Sequence, residues 1–432
     1  MSAQVTQATA VPVGAAVALP RALGDLWSVT FGHCLTHWYP ATFYLLLPLI
    51  GRELGLSYAQ IGFIMTCQYA AGALFNIPGG LLADMVERKG LLMGLSLFWV
   101  GLPYALMGVA HEYWMLLACV TLVGIGNNLW HPAAISYLSK RYPQRRGFVL
   151  SVHSMGGNIG DALAPLAVGA LLAVVGWRAI VAINVVPGLC AAVAIIIFSG
   201  VVASTGTAKA SPGRAALVGP AGNAPSRGEA VRARLQGLLV LVRDRSVLMI
   251  SIGSAFRNMT QNALVTFLPL YLSHDMGLST TWVGAAMFCV QVCGFVAAPI
   301  AGHLADTMGH RRVVASSLMM SCVVIVAMIS VGDSPLFVGL VAMLGFFLYA
   351  VRSIMQAWIL DVVPESLAGT SVGVLFGAQS LGSAIGPLAC GLIADRWGIL
   401  AAFWFLAASI IVANVFVLLT PRARASMPAP TA

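Results

Sequence analysis

The chain of 432 residues is 59% hydrophobic and only 9% charged, and its 23 Lys and Arg exceed its 14 Asp and Glu, which gives a formal net charge of +9. A water-soluble domain carries about 25% charged residues, so this composition excludes that class and predicts a membrane protein. All eight cysteines fall within apolar segments, which argues against a disulfide-bonded scaffold.

Twelve apolar segments follow one another along the chain, each long enough, at about 20 residues or more, to cross a bilayer as a helix. They lie at 27–50, 58–83, 90–110, 114–139, 148–175, 178–200, 247–273, 281–305, 313–332, 336–360, 370–394 and 399–420. An even number of spans puts both termini on one side of the membrane. The stretch before Arg21 lacks the basic start of a cleaved signal peptide, so we expect the first span to be retained.

The basic residues are distributed unevenly about these spans. Of the 23 Lys and Arg, 18 fall in the tails and in the loops on the side of the termini, three fall in the opposite loops, and two, Arg257 and Arg352, lie inside spans. This bias follows the positive-inside rule and predicts cytoplasmic termini in a cell inner (plasma) membrane. The charge therefore indicates contact with anionic membrane lipid, and no nucleic-acid partner is expected.

The chain divides into two halves that repeat each other. Gly, Pro, Ser, Ala and Arg replace the apolar runs between about 201 and 246, which predicts a linker. The segment from Gly80 to Asp84 (GLLAD) returns 222 residues later as Gly302 to Asp306 (GHLAD). The predicted fold is an all-α membrane protein of twelve transmembrane helices in two pseudo-symmetric six-helix bundles, which is typical of transporters. Its parts are a cytoplasmic tail at 1–26, a bundle at 27–200, the cytoplasmic linker at 201–246, a second bundle at 247–420 and a cytoplasmic tail at 421–432.

The repeated loop carries a recognisable pattern of glycines, an acid and basic residues. The matching residues are Gly80, Asp84 and Arg88 in the first copy and Gly302, Asp306, Gly309 and Arg311 in the second. In this pattern, and over about 27–420, the chain resembles the major facilitator superfamily of transporters. The resemblance implies alternating access, with these residues gating the inner side, where an acid at a helix end can hold the two halves together.

A second pattern concerns helix packing. Gly160 and Pro165 in the fifth span, and Gly382, Gly386 and Pro387 in the eleventh, resemble the glycine and proline run of the antiporters of this superfamily. Small residues at such spacing let helices approach closely. The resemblance favours proton-coupled export of a small organic compound or drug, and it leaves proton-coupled uptake of a small organic anion or metabolite open.

The fourth and fifth spans resemble one particular branch of the superfamily. The segments GIGNNLWHP, from Gly124, and GGNIGDALAP, from Gly156, are similar to the fosmidomycin-resistance branch of exporters. His33 also stands where that branch has His, whereas His37 replaces its Asp. The resemblance implies a drug-like or phosphonate-like cargo.

Spans 1, 4, 7 and 10 line the central cavity in this superfamily, and their polar residues recur here at helical spacing. The predicted substrate-binding residues are His33, His37, Asn127, Asn128, His131, Arg257, Asn258, Gln261, Tyr349, Arg352 and Gln356. The alternative for each amide is a hydrogen bond between helices, worth about 0.6 to 2 kcal/mol. The spans contain two Arg and several His but a single acid, so we expect the cavity to attract an anion.

That single acid is Asp161, near the middle of the fifth span. A buried carboxyl near basic groups can be tuned to take up and release protons, so we assign proton coupling to Asp161 with His33 and His37. The competing interpretation makes Asp161 a structural partner of Arg257 or Arg352.

Other functional classes are weaker. The chain contains neither an HExxH motif nor a Walker A motif, so we expect no enzyme activity and no intrinsic ATP drive. Cys289 and Cys293 lie on the same helix face, but we interpret both as apolar packing residues. No metal and no cofactor are therefore predicted. A non-transporting receptor on the same fold stays open. The expected partners are a small-molecule substrate, protons and membrane lipid, with the protein acting as a monomer.

Overall fold

The computed structural model describes residues 24–205, 241–364 and 367–421, and twelve long helices account for most of them. We number them α1 (Gly24–Glu53), α2 (Tyr58–Met85), α3 (Lys89–Met107), α4 (Tyr113–Arg141), α5 (Arg146–Leu171), α6 (Trp177–Thr205), α7 (Arg245–Leu270), α8 (Thr280–Met308), α9 (His310–Val331), α10 (Leu336–Asp361), α11 (Ala368–Trp397) and α12 (Ile399–Leu419). A 3-10 turn, Pro143–Arg145, joins α4 to α5, and a π-helical turn, Tyr271–Asp275, follows α7. Residues 1–23 and 422–432 of the predicted tails, and 206–240 of the predicted linker, lie outside the described residues.

The helices form two bundles with the same internal pairing. In the first bundle α1 packs on α5, α2 on α4, and α3 on α4 and α6; in the second, α7 packs on α11, α8 on α10, and α9 on α10 and α12. Each pair in one bundle thus has its counterpart six helices later, as the repeat in the sequence predicts.

The repeat extends to the backbone of the turns. Gly55 and Gly277, 222 residues apart, have φ angles of +61° and +63°. This left-handed conformation strains residues that carry a Cβ, so glycine is required in both turns. Ser57 and Ser279 follow as the N-cap residues of α2 and α8, and Ser57 forms a capping box with Gln60.

Eight of the twelve described helices, α3, α4, α6 and α8 to α12, are long and apolar enough to cross a membrane. The other four, α1, α2, α5 and α7, are long enough but carry more polar residues. These four helices lie in the middle of the molecule, where α1, α5 and α7 border the cavity described below and α2 packs on the other bundle. Many of their polar side chains are buried between helices or border the cavity, and such residues lower the hydropathy of a helix without meeting lipid.

The first junction between the bundles is formed by α2 and α11. The backbone of Gly62 lies against the carbonyl of Pro387, too close for any side chain on the glycine. Nearer the end, the carboxylate of Asp395 accepts hydrogen bonds from the backbone N–H groups of Tyr58 (2.8 Å) and Ala59 (3.0 Å). This junction lies at the end of the molecule opposite to the one where α1 begins and α12 ends, which we call the termini end.

The second junction, between α5 and α8, lies at the same end. The carbonyl of Pro165 faces Gly284, and the carbonyl of Gly169 accepts hydrogen bonds from the hydroxyl groups of Thr280 (3.2 Å) and Thr281 (3.3 Å). The contacts that join the bundles therefore concentrate away from the termini end, and the space between the bundles is closed there.

Within the bundles, the other glycines of the predicted packing pattern each lie against a neighbouring helix. Gly160 on α5 faces the carbonyl of Cys34 on α1, and on α11 Gly382 and Gly386 face the backbone of α7. A side chain at any of the three positions would push the paired helices apart.

Candidate substrate cavity

A cavity of about 490 Å³ lies between the two bundles, and both contribute to its walls. Its lining residues come from α1, α4 and α5 on one side and from α7, α8 and α10 on the other. They are His33, His37, His131, Ser154, Gly157, Asn158, Asp161, Gln261, Gln291, Gly294, Phe295, Ala298, Tyr349, Arg352, Ser353 and Gln356.

Seven of the eleven predicted substrate-binding residues line this cavity: His33, His37, His131, Gln261, Tyr349, Arg352 and Gln356. Arg352 is exposed to the cavity, whereas Tyr349 and Gln356 are half-buried. The side-chain oxygen of Gln261 is buried and makes no hydrogen bond to the described residues. It is thus available to a polar group within the cavity.

Arg257 lies behind the cavity wall. It is fully buried, and its Nε and Nη2 groups donate to the backbone carbonyl of Leu348 on α10 at 3.1 and 2.7 Å. Its Nη1 group donates to the side-chain oxygen of Asn258 at 2.9 Å. Because these donors are engaged by protein, the predicted direct contact of Arg257 with substrate would require another conformation.

The three remaining predicted residues, Asn127, Asn128 and Asn258, also lie outside the lining. The amide of Asn128 donates to the carbonyl of Gly124 within α4 (3.0 Å), and that of Asn258 donates to the hydroxyl of Ser383 on α11 (3.0 Å). The backbone carbonyl of Asn127 accepts from Nδ1 of His131 (3.2 Å). Of the three, only Asn258 makes the hydrogen bond between helices that the sequence left open as the alternative. The Asn128 bond stays within α4, and the side-chain oxygen of Asn127 is buried without a hydrogen-bond partner among the described residues.

Four histidines cluster on the side of the first bundle. Nδ1 of His33 donates to the backbone carbonyl of His153 (2.7 Å), and Nε2 of His33 lies 3.3 Å from Nε2 of His131. The ring of His153 stacks on that of His33 with centroids 4.0 Å apart, and the centroids of His33 and His37 are 4.7 Å apart. The sequence placed these residues on three separate spans, and the fold brings them together.

Asp161 pairs with His37. Nδ1 of His37 donates to the carboxylate of Asp161 at 2.9 Å, and the two side chains are 29% and 30% exposed. The structure thus pairs this acid with histidine and with neither arginine. Both groups border the cavity, so protons from water there can reach the pair.

Sequence reasoning missed several lining residues on α5 and α8, because outside spans 1, 4, 7 and 10 it considered only the acid Asp161. Asn158 and Ser154 on α5 and Gln291 on α8 border the cavity. Gln291 is a single amide inside an otherwise apolar span, and that isolation is the signal that could have identified it.

The predicted gating residues lie at the termini end. A side chain added at Gly80 or Gly302 would meet no atom of the described residues within 4 Å. The guanidinium of Arg311 donates to the backbone carbonyl of Leu418 on α12, within its own bundle. Arg88 and Asp306 are exposed, and Gly309 ends α8 with a φ of +89°. The side chain of Asp84 lies outside the described part of the structure, and the gating role stays a prediction.

The sequence matches the sequence model of the Major Facilitator Superfamily over residues 26–291 and again over 250–432. The chain belongs to the major facilitator superfamily. It is therefore a multi-pass membrane transporter of small substrates, as the resemblance of the repeated loops predicted.

Curated relatives of this transporter share its length. The phosphoglycerate transporter protein of Salmonella typhimurium is 23% identical, over 92% of this chain and 88% of that protein. The hexuronate transporter of Bacillus subtilis is 25% identical (84% and 86%), and the fosmidomycin resistance protein of Escherichia coli is 26% identical (89% and 91%). The predicted likeness to the fosmidomycin-resistance branch is thus confirmed at low identity.

Solved structures confirm the predicted fold class. A bacterial homolog of the human lysosomal transporter Spinster, in an inward-facing and occupied conformation, superimposes with a TM-score of 0.74 at 18% identity, covering 91% of this chain and 96% of that one. A D-xylose–proton symporter gives 0.73 at 14% identity, covering 91% and 97%.

Proposed function

We propose that this transporter carries a small organic anion by alternating access and exports it in exchange for protons. The observation that carries the proposal is the composition of the cavity, where Arg352 and three histidines face one carboxylate, Asp161. A cavity with low-dielectric walls and an excess of basic groups concentrates anions.

Arg352 is the proposed anion ligand. Its guanidinium is exposed to the cavity, and its planar set of donors suits the paired oxygens of a carboxylate, phosphate or phosphonate. Ser353 and Gln356, which follow on α10, also border the cavity and offer further donors. Arg257, fixed behind the wall through Leu348, adds positive potential without contacting the cargo.

The names of the relatives agree with an anionic cargo. Phosphoglycerate and hexuronate carry carboxylates, phosphoglycerate also carries a phosphate, and fosmidomycin is a phosphonate. These compounds share a small polar body with one or two anionic groups, which is the class of ligand that we propose for the cavity.

Proton coupling is assigned to the pair of Asp161 and His37, with His33 beside it. The pair is partly exposed to the cavity and joins α1 to α5, two helices that pack against each other in the first bundle. A change in its protonation alters the charge next to the anion site and the hydrogen bond between two helices. Both effects bias the equilibrium between the two conformations.

Uptake by proton symport is the second candidate, and the histidines favour it. Protonation of His37 or His131 adds positive charge near Arg352, which strengthens anion binding. Symport requires the proton and the anion to bind at the same time, whereas antiport requires them to bind in turn. The glycine pattern and the fosmidomycin-resistance relative favour export.

The deciding experiment uses the purified full chain in proteoliposomes, with the voltage clamped to zero. Labelled phosphoglycerate, glucuronate and fosmidomycin are each offered outside under pH gradients of both signs. Antiport concentrates cargo in vesicles that are acidic inside, and symport concentrates it in vesicles that are alkaline inside. Failure to concentrate any of these anions under either gradient would overturn the proposal. A drug-sensitivity panel on expressing cells then tests the direction in vivo.

A further inference from the structure

The histidine cluster has a geometry that anion binding does not require. Three ring nitrogens, one from each of His33, His37 and His131, all lie within 4.8 Å of one another. His33 and His37 are one helical turn apart on α1, and His131 reaches them from α4. Two histidines at positions i and i+4 on one helix face are an arrangement found in metal sites.

The hydrogen bonds of the three rings determine which nitrogen is free. Nδ1 of His33 faces the backbone carbonyl of His153, Nδ1 of His131 faces that of Asn127, and Nδ1 of His37 faces the carboxylate of Asp161. Carbonyl and carboxylate oxygens only accept hydrogen bonds, so Nδ1 carries the hydrogen in each neutral ring. Each Nε2 is then left with a free lone pair.

Two of these lone pairs face each other. Nε2 of His33 and Nε2 of His131 are 3.3 Å apart, and neither has a hydrogen to donate in the neutral tautomers described above. Such a contact is repulsive unless a proton or a metal cation lies between the nitrogens. With metal–nitrogen distances of about 2.0–2.1 Å, tetrahedral coordination separates two ligand nitrogens by about 3.3 Å. The observed separation therefore matches one edge of a tetrahedral site.

The surroundings fit a metal site as well. A histidine ligand usually donates its second ring nitrogen to a carboxylate or a backbone carbonyl, and all three rings do so. Gly157 on α5 leaves room for the rings, since a Cβ there would lie 2.8 Å from His33 and 3.0 Å from His37. All three histidines line the cavity, His33 as a buried residue and His37 and His131 as half-buried ones, so a fourth coordination position would open into it.

We propose that His33, His37 and His131 form a binding site for one divalent transition-metal ion of the Zn²⁺ class. Imidazole nitrogen suits Zn²⁺ and Co²⁺, and three protein ligands leave a position for water or an anionic donor. Arg352 in the same cavity favours an anionic fourth ligand. The inference concerns metal binding by the protein alone and does not depend on the proposed cargo.

The test uses the full chain in nanodiscs, purified with an affinity tag that contains no histidine. Co²⁺ is titrated while its visible absorption is recorded, because tetrahedral Co²⁺ absorbs more strongly than octahedral Co²⁺, and Zn²⁺ is then added as a competitor. We expect one tetrahedral Co²⁺ per chain, displaced by Zn²⁺. The absence of stoichiometric binding, or the weak spectrum of an octahedral ion, would overturn the proposal.

Variants locate the ion. His131→Gln should weaken Co²⁺ binding by at least about tenfold, and Asp161→Asn, which removes the carboxylate that supports His37, by about 10-fold or more. His131→Cys, which keeps a metal ligand, should restore binding. His303→Gln changes an exposed histidine on α8 and should leave the titration unchanged. Wild-type affinity in a monodisperse His131→Gln protein would place the ion elsewhere and refute the site.

Discussion

Asp395, near the end of α11, accepts a hydrogen bond from the backbone N–H of Tyr58, in the first turn of α2, at 2.8 Å. Its second oxygen accepts from the N–H of Ala59 at 3.0 Å. The first N–H groups of a helix have no partner within the helix, and the helix dipole favours a negative charge there. A residue of one bundle thus caps a helix of the other and holds the end opposite the termini closed.

The first prediction follows from this contact. Asp395→Asn removes the charge, and we expect it to weaken the closed end by about 1 kcal/mol, or roughly fivefold in the ratio of the two conformations. Hydrogen–deuterium exchange at the start of α2 should become faster. Asp333→Asn is the matched control, since Asp333 accepts from Tyr271 within a single bundle (3.1 Å). Equal exchange in wild type and Asp395→Asn would contradict the capping role.

The helices of this fold could be predicted from sequence because lipid demands long apolar runs. The predicted span 58–83 corresponds to Tyr58–Met85, and 313–332 corresponds to His310–Val331. The sixth predicted span ended at 200, whereas α6 continues to Thr205, because hydropathy marks the apolar part of a segment and not the residue at which its helix ends.

The site was less predictable than the helices. A helix at the edge of the molecule has an apolar stripe that shows which face meets lipid, whereas a helix inside the molecule has no such stripe to show which face meets the cavity. Helical spacing grouped Asn127 with His131, but only His131 reaches the cavity. Nothing in the sequence favoured either Arg257 or Arg352 over the other as the substrate ligand, and only the fold distinguishes them. Arg257 donates to the carbonyl of Leu348, whereas Arg352 is exposed to the cavity. The meeting of His33 with His131 depends on the packing of α1 near α4, which no local pattern encodes.

The two intramembrane arginines should respond differently to substitution. Arg352→Gln should weaken anion binding by about 30-fold or more, corresponding to roughly 2 kcal/mol, and leave thermal stability unchanged. Arg257→Gln should lower stability by about 1–3 kcal/mol, because it leaves the buried carbonyl of Leu348 without its donor. Equilibrium binding and thermal unfolding in the same detergent measure both effects. Wild-type anion affinity in Arg352→Gln would refute the assigned ligand.

Glu53 provides a pH-dependent contact at the end opposite the termini, beyond the predicted span that ends at 50. The hydrogen bond from the indole of Trp177, followed by that from Arg178 (2.6 Å), lowers the pKa of Glu53 below its ordinary value. A lowered folded-state pKa stabilises the fold above the unfolded-state pKa of about 4.3, and the contribution disappears as the pH falls through the folded-state value.

The third prediction is therefore that Glu53→Gln lowers the thermal unfolding temperature at pH 7, and that its deficit relative to wild type shrinks as the pH falls below about 4. Unfolding scans of both proteins over this pH range provide the measurement. Glu112→Gln is a suitable control, because Glu112 is the N-cap residue of α4 and makes no side-chain cap hydrogen bond. A deficit independent of pH would mean that the charge of Glu53 is not responsible.

Membrane orientation is the subject of the fourth prediction. The excess of Lys and Arg on the side of the termini predicts that both tails and the linker at 201–246 are cytoplasmic. Fluorescent-protein fusions at the two ends and within 206–240 should fluoresce, and alkaline phosphatase at the same positions should be inactive. A phosphatase inserted between α5 and α6, near 174, should be active. Phosphatase activity from the linker would reverse the orientation.

The last prediction separates coupling from binding. Asp161→Asn keeps the size of the side chain and can still hydrogen-bond His37, but it cannot carry a proton between the two sides of the membrane. We expect exchange of labelled for unlabelled cargo to continue near the wild-type rate, while the accumulation ratio under a pH gradient falls to about one. Asp361→Asn is the matched control, because Asp361 also pairs with a histidine, His310 (3.4 Å), but outside the cavity, and it should leave accumulation unchanged. If Asp161→Asn still concentrates cargo, the proton uses another group, and His33 and His37 are the next residues to substitute.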